Sequence, residues 1–134
     1  MFDHPETISK IINQTRTIAV VGLSPKPDRT SHQVSSYLQQ VGYTIIPVNP
    51  GAEAILGEKC YANLTEIPDK VDLVLVFRRS EFIPPIVDAV IHIKPQFLWL
   101  QEGIYHEEAG QKAAAAGIEV IMDRCMFKEH RLRQ

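Results

Sequence analysis

The sequence predicts a single α/β domain on a doubly wound, mostly parallel sheet of five to six strands. Three observations carry this expectation. Short apolar runs recur at 18–22, 44–48, 71–77, 97–100 and 118–122, and they lack the inside–outside alternation of a sheet with one wet face, so they suit strands covered on both sides. Helical patterns fall between the runs, and strands that alternate with helices build parallel sheets. The length, 134 residues at 45% hydrophobic composition, suits one domain with a real core.

An N-terminal helix is expected over about 5–15, started by Asp3 or His4, with Ile8, Ile11 and Ile12 on one face. The first strand, "IAVVG", follows. Ser31 is the expected N-cap of the second helix, which carries Val34, Leu38 and Val41 at helical spacing and stops at Gly42. After strand 44–48, "GEKCY" at 57–61 reads as a small extra strand and "ANLTEIP" as one helical turn. Strand 71–77 leads to Pro84 and Pro85, which suit the first turn of a helix bearing Ile86, Val87 and Val90. That helix ends before Pro95, and strand 97–100 follows it. Residues 106–116 carry acids early and alanines late, with Gly117 as the stop before strand 118–122. The tail "KEHRLRQ" reads as a solvated terminus.

The expected strand order is 3-2-1-4-5-6. Run 18–22 is central, the small strand near 59–61 lies at one edge, and 71–77 lies on the other side of the first strand. The alternative is 2-1-3-4-5. Both put a ligand crevice at the carboxyl ends of the strands, where the order reverses.

Composition narrows the function. A net charge of −2 without a basic stripe argues against nucleic acid. No apolar segment approaches the ~20 residues needed to cross a bilayer, and the first ten residues lack a secretory pattern. Cys60 and Cys125 stand far apart with no metal-ligand or CxxC spacing, which suits a reducing cytoplasm.

The informative stretch is "TIAVVGLSPKPDRTSHQ" at 17–33. An apolar strand meets Gly22 and leads into a helix start, where free backbone N–H groups and the helix dipole favour an anion. Lys26 and Arg29 add full charges there, and Ser24, Thr30 and Ser31 add hydroxyls. A phosphate-bearing ligand is the expected occupant, and Arg78 and Arg79 lie at the same predicted edge. The dinucleotide fingerprint is broken, however. Ser24 and Pro27 stand at its second and third glycines, and Asn49 in "PVNPG" stands where NAD binders carry an acid.

"VVGLSPKPDR", "GYTIIPVNP", "LGEKCYANLTEIPDKVDLVLVF", "LWLQEGI" and "MDRCM", in that order, closely resemble the small stand-alone CoA-binding proteins of the CoA-binding domain family. Larger relatives in that family include the N-terminal domain of the succinyl-CoA synthetase alpha subunit. The resemblance spans roughly residues 5–130. It implies a Rossmann-like fold that holds coenzyme A at the strand ends. By position, it implies that Gly22, Leu23, Ser24, Lys26 and Arg29 form the phosphate loop. Pro47, Val48 and Asn49 would line the crevice at the second strand, and Phe77 and Arg78 would flank the nucleotide. Gln101, Glu102 and Gly103 stand at the Thr-Glu-Gly turn of the synthetase domain, and Ala52 replaces a synthetase lysine. The 134 residues hold neither the phosphohistidine domain nor the nucleotide-grasp subunit, so the resemblance implies binding and not ligase activity.

No catalytic residue is assigned. His4, His32, His92, His106 and His130 are scattered, and no nucleophile–base pair or metal spacing stands out. Cys125 follows the last strand at the ligand edge, where its thiol could meet that of CoA; a small buried turn residue is the plainer reading. Two function classes stay open. One is a cytoplasmic module that binds CoA or an acyl-CoA as carrier, regulator or partner subunit, with a protein partner or homo-oligomer left open. The other is an NAD(P)-binding or acyl-CoA-using enzyme of unrecognised type.

Overall fold

The computed structural model describes residues 2–134. The elements run α1 (Pro5–Gln14), β1 (Thr17–Val21), α2 (Thr30–Gln40), β2 (Thr44–Val48), β3 (Ala54–Ile55), β4 (Glu58–Lys59), β5 (Leu73–Val76), α3 (Ile83–Ile93), β6 (Phe97–Leu100), α4 (Glu107–Ala115), β7 (Glu119–Ile121) and α5 (Met126–Leu132). Short 3₁₀ turns occupy Leu64–Glu66 and Ser80–Phe82.

Five strands form one parallel sheet in the order β2-β1-β5-β6-β7. This is the expected Rossmann-like α/β class. Side chains alternate between two cores. Ala19 and Val21 point toward the α3/α4 side, while Ile18 and Val20 point toward α1, α2 and α5. Both faces are covered, which is why the strands read as unbroken apolar runs.

Counted over these five strands, the order is 2-1-3-4-5. The expected sixth strand contributes one parallel bridge, Tyr61 to Val48, beside the free edge of β2. Counting that bridge as a strand restores 3-2-1-4-5-6. The segment shrinks because it pairs locally. β3 and β4 form an antiparallel hairpin across Leu56 and Gly57, both at positive φ, the conformation of a tight two-residue turn. Tyr61 ties the segment to the main sheet, donating to the Pro47 carbonyl (3.0 Å) and accepting from the Asn49 N–H (2.9 Å).

The helix signals resolve individually. The His4 side chain accepts from the Glu6 N–H and starts α1, and His106 does the same for α4 through Ala109. Pro84 and Pro85 sit in the first turn of α3, and Lys94, at φ 54°, ends it. Ser31 is not the cap of α2. Arg29 holds that position and Ser31 lies in the first turn. The tail also departs from expectation: it folds as α5, with Met126 and His130 buried. Of these only His130 lies within "KEHRLRQ", so no apolar period marks a helix there.

Candidate functional site

Gly22 ends β1 at the centre of the sheet. Its N–H donates to the Val48 carbonyl at 3.1 Å, and beside it the Phe77 N–H donates to the Val21 carbonyl at 2.9 Å. The chain then leaves the sheet at the point where neighbours on the two sides belong to different crossovers. The loop that follows is built from inside. Ser24 N–H donates to the Ser31 hydroxyl (3.0 Å), and the Ser24 hydroxyl accepts from the Lys26 N–H (3.1 Å). His32 Nδ1 lies 3.1 Å from the Ser24 carbonyl oxygen. Arg29 N–H closes the turn onto the Lys26 carbonyl at 3.1 Å.

Asn49 clips this loop to β2. Its carboxamide N–H donates to the Leu23 carbonyl at 2.9 Å, and its oxygen accepts from the Gly51 N–H at 2.7 Å. Both ends of the amide are occupied by the protein. An aspartate could not make the first of these bonds, because a carboxylate has no hydrogen to donate.

Three depressions follow one another along the carboxyl edge. The first, about 560 Å³, lies between the ends of β1 and β2 and the start of α3. Gly22, Ser24, Val48, Asn49 and Arg78 meet in it. The second, about 490 Å³, shares Arg78 with the first and brings in Phe77, Gln101 and Gly103. The third, about 420 Å³, shares Thr30, Gln101 and Glu102 with the second and reaches Cys125 and Lys128. Neighbouring depressions thus share walls along this edge, Arg78 between the first and second and Thr30, Gln101 and Glu102 between the second and third.

The residues expected at the site separate into groups. Gly22, Ser24, Val48, Asn49 and Arg78 line the first depression directly. Leu23 is fully buried and packs its side chain into the α2-side core, so only its carbonyl takes part, through Asn49. Pro47 is buried and supports Val48 from within β2. Lys26 and Arg29 stand exposed on the loop after β1 and line none of the three depressions. Phe77, Gln101 and Gly103 belong to the second depression. The Gly103 N–H is held by the Asp123 carboxylate at 2.7 Å, and the Gln101 side-chain oxygen accepts from the Met126 N–H at 3.3 Å.

Charge is left available at this edge. Lys26, Arg29 and Arg78 have no carboxylate partner among the described residues, whereas Lys10, Lys112, Arg124, Lys128 and Arg133 each have one. Arg78 stacks over Phe82, 4.9 Å from the ring centre. No side chain caps the start of α2, so its first N–H groups face the loop uncovered.

Sequence reasoning missed the apolar wall of the first depression. Ala62 and Leu64, just before and at the 3₁₀ turn, line it together with Pro85, Ile86 and Ala89 of α3. The proline pair signalled a helix start, but nothing local signalled that Leu64 would lie opposite it. Among the described residues no group of three or more His, Cys, Asp or Glu could hold a metal, and no helix is long and apolar enough to cross a membrane.

Residues 16–131 match the family described as CoA binding domain. The uncharacterized protein YneT of Bacillus subtilis (strain 168) is 45% identical over 123 residues, 92% of this chain and 91% of YneT. Acetate–CoA ligase (ADP-forming) I of Archaeoglobus fulgidus is 30% identical over 73 residues, which is 54% of this chain but 11% of the ligase. Among solved structures, a hypothetical protein from Pyrococcus horikoshii OT3 matches with a TM-score of 0.92 and 38% identity, covering 96% of this chain and 91% of that one. The dinucleotide forming acetyl-coenzyme A synthetase 1 of Ca. Korarchaeum cryptofilum, in complex with phosphate and ADP, matches with a TM-score of 0.73 and 26% identity. There the alignment takes in 83% of this chain and 26% of the synthetase.

Proposed function

This chain belongs to the CoA-binding domain family, and from that premise we propose that it binds coenzyme A or an acyl-CoA along the carboxyl edge of its sheet, as a binding, carrier or regulatory module without a reaction of its own. The observation that carries this reading is an apolar-walled cleft that the unpaired Arg78 lines, next to a loop on which Lys26 and Arg29 stand exposed without carboxylate partners among the described residues. The first depression, about 560 Å³, falls within the range of small-molecule sites, and such sites combine apolar walls with a few placed polar groups. Ser24, Lys26, Arg29 and the uncapped start of α2 take the pyrophosphate, where a helix N-terminus favours anions. Arg78 stands between the first and second depressions and serves the separate 3′-phosphate or the nucleotide.

The nicotinamide alternative loses its ribose contact here. Asn49 occupies the position of the usual acid, and both ends of its amide are bonded to backbone groups. Among the described residues the hydroxyl–imidazole contact, Tyr37 with His130, lines none of the three depressions. His32, the imidazole nearest the loop, holds the Ser24 carbonyl.

Calorimetric titration tests the assignment at Arg29. Arg29→Glu removes one charge-assisted bond and adds repulsion, so CoA should bind roughly 10–100-fold more weakly, from about 1.5–3 kcal/mol per charged hydrogen bond. The variant's melting should barely change, since the side chain is exposed. An unaltered CoA affinity would remove Arg29 from the site.

A further inference from the structure

We propose that Cys125 is a covalent acceptor for the thiol end of a pantetheine-type ligand, in a subsite formed by the third depression with Gln101. The inference rests on the CoA-binding reading above and adds to it where the arm of the ligand ends and what it meets.

Three observations lead there. First, the depressions adjoin through shared residues, Arg78 between the first and second and Thr30, Gln101 and Glu102 between the second and third, and the third reaches Cys125. Second, Gln101 is 4% exposed yet lines both the second and third depressions. The Met126 N–H holds its side-chain oxygen, which fixes the amide orientation. Its nitrogen has no partner among the described residues. A buried primary amide with a free donor suits a ligand carbonyl, and a pantetheine arm carries an amide carbonyl a few bonds from its sulfur. Third, Cys125 is rigidly placed. The Trp99 indole N–H donates to the Arg124 carbonyl at 2.8 Å, and the Cys125 carbonyl accepts from the Glu129 N–H at 3.0 Å. Lys128, paired with Glu102 at 3.1 Å, borders the same depression.

The other thiol differs. Cys60 lines none of the three depressions.

The step is thiol–disulfide exchange with CoA disulfide, a low-molecular-weight disulfide. Cys125 gives its proton to solvent, and its thiolate attacks one sulfur of the ligand. The Cys125–S bond forms as the ligand S–S bond breaks, and the released CoA thiolate takes up a proton. CoA disulfide is itself the oxidant: Cys125 is oxidised, the released CoA is reduced, and no further oxidant is needed.

The test is intact-mass spectrometry of the whole protein incubated with CoA disulfide, followed by peptide mapping. The expected result is a gain of one CoA less two hydrogens on Cys125, in wild type and in Cys60→Ser, and its loss in Cys125→Ser. Excess 3′-phospho-ADP, which can fill only the nucleotide part of the site, should slow the adduct at least ~10-fold, because the rate depends on held proximity. Glutathione disulfide should label Cys125 more slowly than CoA disulfide by a similar factor. No adduct, an adduct on Cys60 alone, or equal labelling by glutathione disulfide that 3′-phospho-ADP leaves unslowed overturns the proposal. Melting of wild type with reduced CoA, under reductant, separates the two readings. Stabilisation without an adduct leaves CoA binding standing and removes Cys125, whereas no stabilisation removes the binding reading as well.

Discussion

At Gly22 φ is +84°, and a Cβ built there would stand 2.7 Å from the Phe77 carbonyl oxygen and 3.0 Å from Arg78 Cδ. The first number strains any L side chain, and the second is a clash with backbone that cannot step aside. Gly22→Ala should therefore destabilise by roughly 2–4 kcal/mol, read as a lower denaturant midpoint. CoA affinity should fall too, because the clash pushes β5 and Arg78 away from the loop. Asn49 is the complementary case. Asn49→Asp keeps the size, keeps the bond from Gly51 N–H and loses the donor to the Leu23 carbonyl. The half-buried carboxylate would face that oxygen, at a cost of about 1–3 kcal/mol. The loop should loosen, and neither NAD nor CoA should bind better. An aspartate variant that gained NAD affinity would show that the position reads ribose after all. The glycine could be recognised from its place after an apolar strand, but the two bonds of Asn49 join segments 26 and 2 residues apart, and only the shorter belongs to local sequence.

α5 holds the end of the chain against α2. The Tyr37 hydroxyl lies 2.6 Å from His130 Nδ1, and Phe127 meets the Tyr37 ring edge-on at 4.6 Å. Tyr43 also meets the imidazole edge-on, at 5.9 Å, and Gln134 lies near its second nitrogen. Burial pushes the His130 pKa below its ordinary 6.5. The unfolded chain then takes up the proton first as pH falls, so the linkage sign is clear. Stability is fully present above about pH 6.5 and is lost as pH drops through the lower folded value. Melting temperature should fall between about pH 7 and pH 5, and His130→Gln should flatten that part of the profile. An equal slope in the variant would assign the acid loss to other groups. The edge of the sheet teaches the same lesson about elements. The pairing of β3 with β4 was hidden in a segment that also carried a strand-like pattern, because a hairpin and an edge strand call on the same residue types.

Over the whole molecule, a ligand that binds only the folded state adds RT ln(1 + [L]/Kd), about 2.7 kcal/mol at a hundredfold excess. At roughly 3–5 °C per kcal/mol for a domain of this size, saturating CoA should raise the melting temperature by about 8–13 °C. Dephospho-CoA should give a smaller shift, since it lacks the 3′-phosphate, and NAD and NADP smaller still. Scanning calorimetry with all four ranks them, and NAD matching CoA would leave the fold standing without the proposed ligand. By itself the sequence determined the parallel α/β class, because strands buried on both faces must be apolar throughout. It also determined the chemistry of the loop after β1, where the glycine, the two cations and the hydroxyls lie within ten consecutive positions, 22–31. Tertiary structure alone decided that Leu64 of a 3₁₀ turn lies opposite α3 in one cleft, that Gln101 keeps its amide nitrogen free in the depression that reaches Cys125, and that three depressions adjoin along one edge. Those outcomes depend on where distant segments meet, and the meeting is set by packing over the whole sheet, which no window of neighbouring residues contains.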